Sequence, residues 1–256
     1  MDYLQYFDQN QGCASPLCYS REHGHSDLPG AWATADMREL LHKAVDSGKG
    51  MVIGCENAAA QPYAAYCKLN DLRYHLAWGA GGMPVPLYPY LFHEYTSGFS
   101  GNGVCLSDWI DTAKTPFFLC WQLAWNFAYG NFLSVVLKNG GKIHWNWALP
   151  WSKPEPDQEG LCKLMANLAA LRRELSENYL AAGRMLKAPE VICGTNTVYR
   201  VHLAPTELPR IISAAWQGID GKKVTLLVNY NAEDETCTVS GKTVTVPAYN
   251  AVVTEQ

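Results

Sequence analysis

The chain of 256 residues carries 20 Lys and Arg against 24 Asp and Glu, for a formal net charge of −4, with 48% hydrophobic and 17% charged residues. This composition is typical of a folded globular protein, and it lacks the basic excess that binding to a nucleic-acid phosphate backbone requires. No apolar run approaches the roughly 20 residues of a membrane-spanning helix. We therefore expect a soluble protein with no nucleic-acid or membrane partner, either cytoplasmic or secreted with its signal missing from this chain.

Strand-like and helix-like segments alternate through the first two thirds of the chain. The apolar run at residues 3–7 predicts a buried strand that ends at Asp8, and residues 51–55 predict another that ends at Glu56. Apolar residues at helical spacing predict a helix over about residues 34–45. Further helices are expected at residues 61–73, 116–128 and 157–182, and further strands at residues 74–78, 85–92 and 132–137.

This alternation predicts a parallel α/β sheet with helical crossovers, either a barrel or an open doubly wound sheet. Acidic residues at strand ends favour the barrel, because barrel enzymes gather catalytic groups at the carboxyl ends of several strands. The glycine-rich phosphate motifs of nucleotide-binding sheets do not occur. Since residues 1–137 hold about five predicted strands and a closed barrel needs eight, residues 1–183 are predicted to form a partial, N-terminally shortened TIM-type (β/α) barrel. We expect it to associate as a homo-oligomer that completes the barrel.

The sequence pattern changes after Gly183, from long alternating segments to short ones. Short β-rich runs follow one another, and they are broken by the turn pairs Asp220-Gly221 and Ser240-Gly241. The runs are residues 197–201, 224–228, 236–239 and 243–246. Residues 184–256 are therefore predicted to form a small antiparallel β-sandwich domain with a structural role.

Asp8 and Glu56 are the candidate catalytic carboxylates. Hydrolysis of a glycosidic bond by the usual route needs two carboxyl groups, one to donate a proton and one to act as nucleophile or base. Each of these two acids follows a predicted strand, so successive strands would bring both to one edge. Glu94, which follows the run at residues 85–92, is an alternative acid/base or a further group at the same edge.

Other polar and aromatic residues are candidates for contacts with a carbohydrate. Trp rings can stack on the apolar faces of sugars, and the loop after Asp8 is where barrel enzymes place substrate contacts. The expected substrate-binding residues are His23, His25, Asn57, His93, Glu94, Trp121 and Trp125. The histidines of that loop lack a further ligand pair at ordinary zinc spacing, so neither a metal nor a cofactor is expected.

Several short motifs resemble an uncharacterised bacterial family of (β/α)-barrel glycoside hydrolases. They are Tyr6-Phe7-Asp8-Gln9, residues 18–25, Gly54-Cys55-Glu56-Asn57, and residues 85–88 leading to His93-Glu94-Tyr95. That family is distantly similar to retaining glycosidases such as the endo-α-N-acetylgalactosaminidases, in which an Asp after the fourth strand is the nucleophile and a Glu after the fifth is the acid/base. The resemblance covers most of the chain, although the first three strands are missing from it. It implies that Asp8 is the nucleophile and Glu56 the acid/base.

The leading hypothesis is a retaining O-glycoside hydrolase acting on an oligo- or polysaccharide. One alternative is a catalytically inert carbohydrate-binding protein, and another is a truncated barrel that has lost its function. A cysteine nucleophile at Cys18 or Cys55 is conceivable, but the nine cysteines carry no catalytic signature and no CxxC pair. Buried free thiols are the expectation for them.

Overall fold

A computed structural model describes residues 3–7, 18–20, 22, 24–26, 29–72, 84–99, 110–111, 113–135, 137–143, 158–200 and 203–256. The chain divides into two compact units. The first consists of Met1–Leu72 and Tyr95–Gly98, and the second consists of Arg73–Glu94 and Phe99–Gln256. Glu56 therefore belongs to the first unit, and His93 and Glu94 belong to the second.

The first unit is built on two parallel strands that are joined through a helix. Strand β1 (Tyr3–Phe7) pairs in parallel with strand β2 (Val52–Cys55), and helix α1 (Ala31–Ser47) lies between them in the chain. The register aligns Tyr3 with Val52, Leu4 with Ile53, Gln5 with Gly54 and, after an irregularity, Phe7 with Cys55. Both strands and the helix confirm the elements predicted for this part of the sequence.

One buried residue on the apolar face of α1 joins the core of this unit. Leu41 has no exposed surface and clusters with Cys55, Ala59 and Cys67. The helix ends at Gly48, whose N–H donates to the carbonyl of Ala44 at 3.0 Å. The packing of this face, more than the propensity of its residues, holds a helix of this length on the sheet.

A third strand, β3 (Leu69–Asp71), lies beside β2 and pairs with β4 (Ser97–Phe99). The N–H of Lys68 donates to the carbonyl of Ile53 at 2.8 Å where β3 approaches β2. The helix predicted over residues 61–73 is therefore wrong. Within its described part, only Gln61–Tyr63 is helical, as one 3₁₀ turn. Pairing with neighbouring strands overrides a weak local preference for helix.

The first described helix of the second unit is α2 (Leu87–Phe92), where the sequence predicted an extended strand at residues 85–92. That prediction is wrong because of where the prolines lie. Pro86 precedes the helix and Pro89 lies in its first turn. The first N–H groups of a helix have no intrahelical partner, so a proline there sacrifices no hydrogen bond.

Two further helices form the main core of the second unit. Helix α3 (Phe118–Ala128) is buried at every residue except Leu119. Helix α4 (Gln158–Leu175) continues through a π turn at Ser176–Leu180. Both confirm predicted helices, but the strand predicted at residues 132–137 is wrong. Its described part contains an isolated bridge at Phe132 and the first residue of β5 (Leu137–Lys138), which pairs with β6 (Lys142–Ile143).

Nine antiparallel strands follow in the described residues after α4. They are β7 (Arg184–Leu186), β8 (Val191–Ile192), β9 (Thr195–Val198), β10 (Thr206–Pro209), β11 (Ile211–Gln217), β12 (Lys223–Asn229), β13 (Glu235–Val239), β14 (Lys242–Val246) and β15 (Asn250–Glu255). One sheet has the order β15-β12-β11-β7, a second has the order β14-β13-β8, and β9 pairs with β10.

The predicted partial (β/α) barrel is wrong. In the described part of the chain, four α-helices accompany several small sheets, and the ladders formed by strands β5 to β15 are antiparallel. Parallel strands require long crossover connections, whereas tight turns such as Asp220-Gly221 and Ser240-Gly241 join antiparallel neighbours. Association of the chain as a homo-oligomer stays a prediction.

Candidate active site

The parallel pair β1 and β2 brings two sequence positions together at one sheet edge. Phe7 and Cys55 are partners in the register, and Asp8 and Glu56 are the residues that follow them in the sequence. Asp8 lies outside the described residues. Glu56 is partly buried, directly after the end of β2. The carboxyl ends of parallel strands are where α/β proteins place ligands, so this edge is the candidate site.

Asp71 is a second carboxylate beside Glu56. It is only 4% exposed, and it forms a parallel bridge with Glu56. Residues paired in this way project their side chains to the same face of a sheet, while their chain neighbours project to the other. Cys55 and Asn70 are those neighbours, and the distance of 3.1 Å between Cys55 Sγ and Asn70 Oδ1 agrees with this arrangement. Glu56 and Asp71 therefore share one face.

Asp71 was not among the predicted site residues, because the sequence predicted a helix over residues 61–73 that includes it. The signal that could have found it is the one that marked Asp8 and Glu56, an acid directly after a short strand. Leu69-Asn70-Asp71 has that form, but three residues are too few to show a period of two.

The hydroxyl of Tyr3 lies near enough to Asp71 to be affected by its negative charge. Its ring covers Gly54, and a Cβ added to Gly54 would meet Tyr3 Cε2 at 2.7 Å and the hydroxyl oxygen at 2.8 Å. Burial, and after it the negative charge of Asp71, raises the pKa of Tyr3 to about 12. Tyr3 therefore keeps its proton at neutral pH and can donate a hydrogen bond on this side of the sheet.

Two buried thiols lie next to these strands, Cys55 as the last residue of β2 and Cys67 shortly before β3. The Cys55 thiol is 3.2 Å from the carbonyl oxygen of Asn57, and Asn70 Nδ2 donates to the carbonyl of Cys67 at 3.2 Å. A hydrogen bond with the Cys67 thiol, together with burial, raises the pKa of Cys55 well above its usual range. Cys55 therefore stays a neutral thiol, which makes it a poor nucleophile. Its contacts connect the turn after Glu56 with β3.

Two other predicted site residues belong to the first unit. Asn57 adopts a left-handed backbone conformation, with φ of 68°, directly after Glu56, and asparagine tolerates this conformation better than most residues. His25 stacks on Trp32 with ring centroids 3.9 Å apart, and its Nδ1 is 3.0 Å from the carbonyl oxygen of Ser26. His23 lies outside the described residues. Asn57 is thus the predicted binding residue adjacent to the candidate acid.

His93 and Glu94 occupy different environments within the second unit. Glu94 is exposed, whereas the His93 ring packs edge-on against Trp216 with ring centroids 4.8 Å apart. The Nε2 atom of His93 is buried and has no hydrogen-bond partner. Burial, reinforced by the nearby charge of Arg172, lowers the pKa of His93 to about 4. His93 is therefore a partly buried, neutral ring packed against Trp216.

This burial predicts an acid-sensitive second unit. Because the pKa of His93 is about 4 in the folded chain against 6.5 ordinarily, the unfolded chain binds more protons between these values. The stabilising effect of the neutral ring is complete above the unfolded pKa and is lost as pH falls towards the folded one. We expect the contribution of His93 to the free energy of unfolding to fall by about 3 kcal/mol between about pH 7 and pH 4.

Denaturant unfolding across this pH range, compared between the wild type and His93→Gln, measures the contribution. His42→Gln is the matched control, because His42 is exposed on α1, 2.9 Å from Asp46. A ring titration of His93 by NMR gives the folded pKa directly, even if the variant folds poorly. A His93 pKa near 6.5 in the folded chain would contradict the prediction.

The two tryptophans predicted to contact sugar are core residues of α3. Trp121 is 0% exposed and Trp125 is 1% exposed. Trp121 stacks on Phe118, and Trp125 meets Tyr129 edge-on at a centroid distance of 4.6 Å. A ring without exposed surface cannot stack on a ligand, so neither residue enters the candidate site.

Comparison with protein-family models, with curated proteins and with solved structures gives no match to this chain. The described residues contain no group of three or more His, Cys, Asp or Glu side chains arranged to hold a metal ion. None of the described helices is both long enough and apolar enough to cross a membrane.

Proposed function

We propose that the chain is a glycoside hydrolase that cleaves O-glycosidic bonds of an oligo- or polysaccharide with Asp8 and Glu56 as its two carboxylates. The observation that carries the proposal is the register partnership of Phe7 and Cys55, the residues immediately before these two acids. Since Asp8 and Glu56 directly follow these partners in the sequence, we expect the parallel pairing of β1 with β2 to bring both acids to the same end of the two strands, which needs no closed barrel. The proposal therefore does not depend on the fold that the sequence first suggested.

In the proposed reaction, Glu56 donates a proton to the glycosidic oxygen while Asp8 attacks the anomeric carbon. The bond to the leaving group breaks, and the sugar is held as an ester of Asp8. Glu56, now a carboxylate, removes a proton from water, which attacks the anomeric carbon and releases Asp8. The configuration of the sugar is retained because two inversions take place.

Asp71 and Tyr3 support this chemistry from the same side of the sheet. Asp71 places a buried carboxylate beside Glu56, and like charges at close range disfavour simultaneous ionisation of both groups. Such a neighbour favours retention of a proton by the pair before substrate is cleaved, which a general acid needs. The Tyr3 hydroxyl is buried and keeps its own proton, so it is a donor for a neighbouring carboxylate and not a contact for the sugar.

A panel of aryl α- and β-glycosides and plant polysaccharides, incubated with the purified chain, tests the proposal. NMR of the first-formed sugar reads the anomeric configuration, and we expect retention. In parallel, 2-deoxy-2-fluoroglycosyl fluorides trap the covalent intermediate, and peptide mass spectrometry should find the label on Asp8. Absence of both turnover and label across the panel would overturn the proposal, and inversion of configuration would overturn its retaining mechanism.

A further inference from the structure

Two cysteines of the C-terminal sheets face each other across an antiparallel strand pair. Strand β8 pairs with β13, with Val191 opposite Val239 and Ile192 opposite Thr238. In an antiparallel register each step forward on one strand is a step back on the other. The next opposed positions are therefore Cys193 and Cys237, one residue beyond the last pair of this ladder.

Both cysteine side chains point to the same buried face. Cys237 is 2% exposed and lies in a core cluster with Val239, and Val191 and Cys193 pack against that cluster. Ile192, between the two inward residues, is 67% exposed, as the alternation of side chains along a strand requires. Burial and, second, the nearby Cys193 thiol raise the pKa of Cys237. The two thiols are therefore close neighbours within one core.

The spacing of opposed residues matches that of a disulfide. Directly opposed Cα atoms of antiparallel strands are about 4.5 to 5.5 Å apart, within the range of about 4.4 to 6.8 Å that disulfides span. Both sulfur atoms are free thiols in this structure. They differ in access, because Cys193 is partly exposed and Cys237 is buried. The backbone spacing of these two opposed positions therefore allows a disulfide between them.

We propose that Cys193 and Cys237 form an oxidisable dithiol site that closes to a cross-strand disulfide by exchange with a small-molecule disulfide of the glutathione class. The proposal is independent of glycoside hydrolysis. The bond would join β8 to β13 and enclose strands β9 to β12 in one covalent loop. The stability of the C-terminal sheets would then depend on the redox state of these two residues.

The chemistry proceeds in two exchanges. Cys193 loses its proton, and the thiolate attacks one sulfur of the external disulfide, whose S–S bond breaks to release one small thiol. Cys237 then loses its proton and attacks the Cys193 sulfur of the mixed disulfide, which releases the second small thiol. The two protein thiols are oxidised by two electrons to one disulfide, and the external disulfide is reduced to two thiols.

The test uses the full chain incubated with glutathione disulfide at neutral pH. Remaining thiols are blocked with an alkylating agent under denaturing conditions, and the protein is digested without reduction for mass spectrometry. We expect a linked peptide pair containing Cys193 and Cys237, which disappears on reduction. The oxidised protein should also melt at a higher temperature than the reduced protein.

Two variants separate the roles of the cysteines. In Cys237→Ser, the mixed disulfide with glutathione should accumulate on Cys193, because the resolving thiol is absent. In Cys193→Ser, the linked pair and the shift in melting temperature should both be absent. If Cys237→Ser fails to fold, the wild type and Cys193→Ser still decide the matter. Accumulation of glutathione on wild-type Cys193 without the linked pair, or no reaction at Cys193 at all, would overturn the proposal.

Discussion

Glu56→Gln is expected to lower kcat/KM for unactivated glycosides by about 10² to 10⁴-fold, the usual contribution of a general acid. The amide cannot donate a proton to the leaving oxygen, but it keeps the size of the side chain. Aryl glycosides whose phenol leaves without protonation should lose much less activity. Steady-state kinetics on two aryl substrates, one with an acidic phenol and one with a weakly acidic phenol, measure the difference.

A comparison of variants assigns the roles at this sheet edge. Asp8→Asn should abolish turnover of both aryl substrates, because neither can bypass the nucleophile. Glu39→Gln is the matched control, since Glu39 is an exposed acid of the same unit that pairs with Lys43 on α1 at 2.6 Å. It should retain wild-type activity. Full activity of Glu56→Gln on the substrate with the weakly acidic phenol would exclude Glu56 as the acid.

Asp71→Asn distinguishes the proposed support from a direct catalytic role. If Asp71 acts through Glu56, the variant should shift the alkaline limb of the pH profile of kcat/KM to lower pH and leave turnover at acidic pH largely intact. If it were the nucleophile itself, activity would be lost at every pH, and the fluoroglycosyl label would fall on Asp71 in the wild type. The pH profile and the position of the label therefore provide independent measurements.

Gly54→Ala is expected to destabilise the first unit by about 3 kcal/mol, at the upper end of overpacking costs. A Cβ at this position would lie 1.8 Å from the carbonyl oxygen of Leu69, as well as against the ring of Tyr3. A backbone carbonyl cannot rotate away as a flexible side chain can, so β2 and β3 would have to separate. The free energy of unfolding from denaturant titration, with hydrogen exchange of β2 amides as a local probe, measures the effect.

Gly30→Ala is the control for this substitution. Gly30 also belongs to the first unit, at the N-cap of α1, and a Cβ there would meet nothing within 4 Å. Its free energy of unfolding should change by well under about 1 kcal/mol, the usual scale for a Gly and Ala exchange at an unstrained position. Equal stability of the Gly54 and Gly30 variants would contradict the close approach of β2 and β3.

Local patterns in the sequence predicted several elements correctly. The apolar stripe of α1, the continuous apolar stretch of α3 and the long amphipathic segment of α4 each indicate a helix from neighbours within a few turns. The runs at residues 3–7 and 51–55 indicate β1 and β2, and the acids that end them marked the candidate site. These signals depend only on residues close together in the chain.

The errors have a common physical cause. Residues 85–92 and 61–73 are short segments with weak local preferences. Their secondary structure therefore depended on packing against residues that are distant in the sequence. Leu69–Asp71 became a strand because β2 and β4 lie beside it, and Leu87–Phe92 became a helix because both of its prolines fit the start of one. The barrel was an extrapolation from alternating elements to a sheet order, which requires knowledge of long-range pairing.

Local sequence patterns are therefore enough to predict the polar or apolar character of each segment, most of the long helices, and the acids that follow strands. Which side chains meet depends on the folded structure. It placed Asp71 beside Glu56, enclosed Trp121 and Trp125 in a core, packed His93 against Trp216, and set Cys193 opposite Cys237. Hydrophobic periodicity is read from neighbours in the chain, whereas these contacts join residues that are distant in sequence and form only when whole faces pack together.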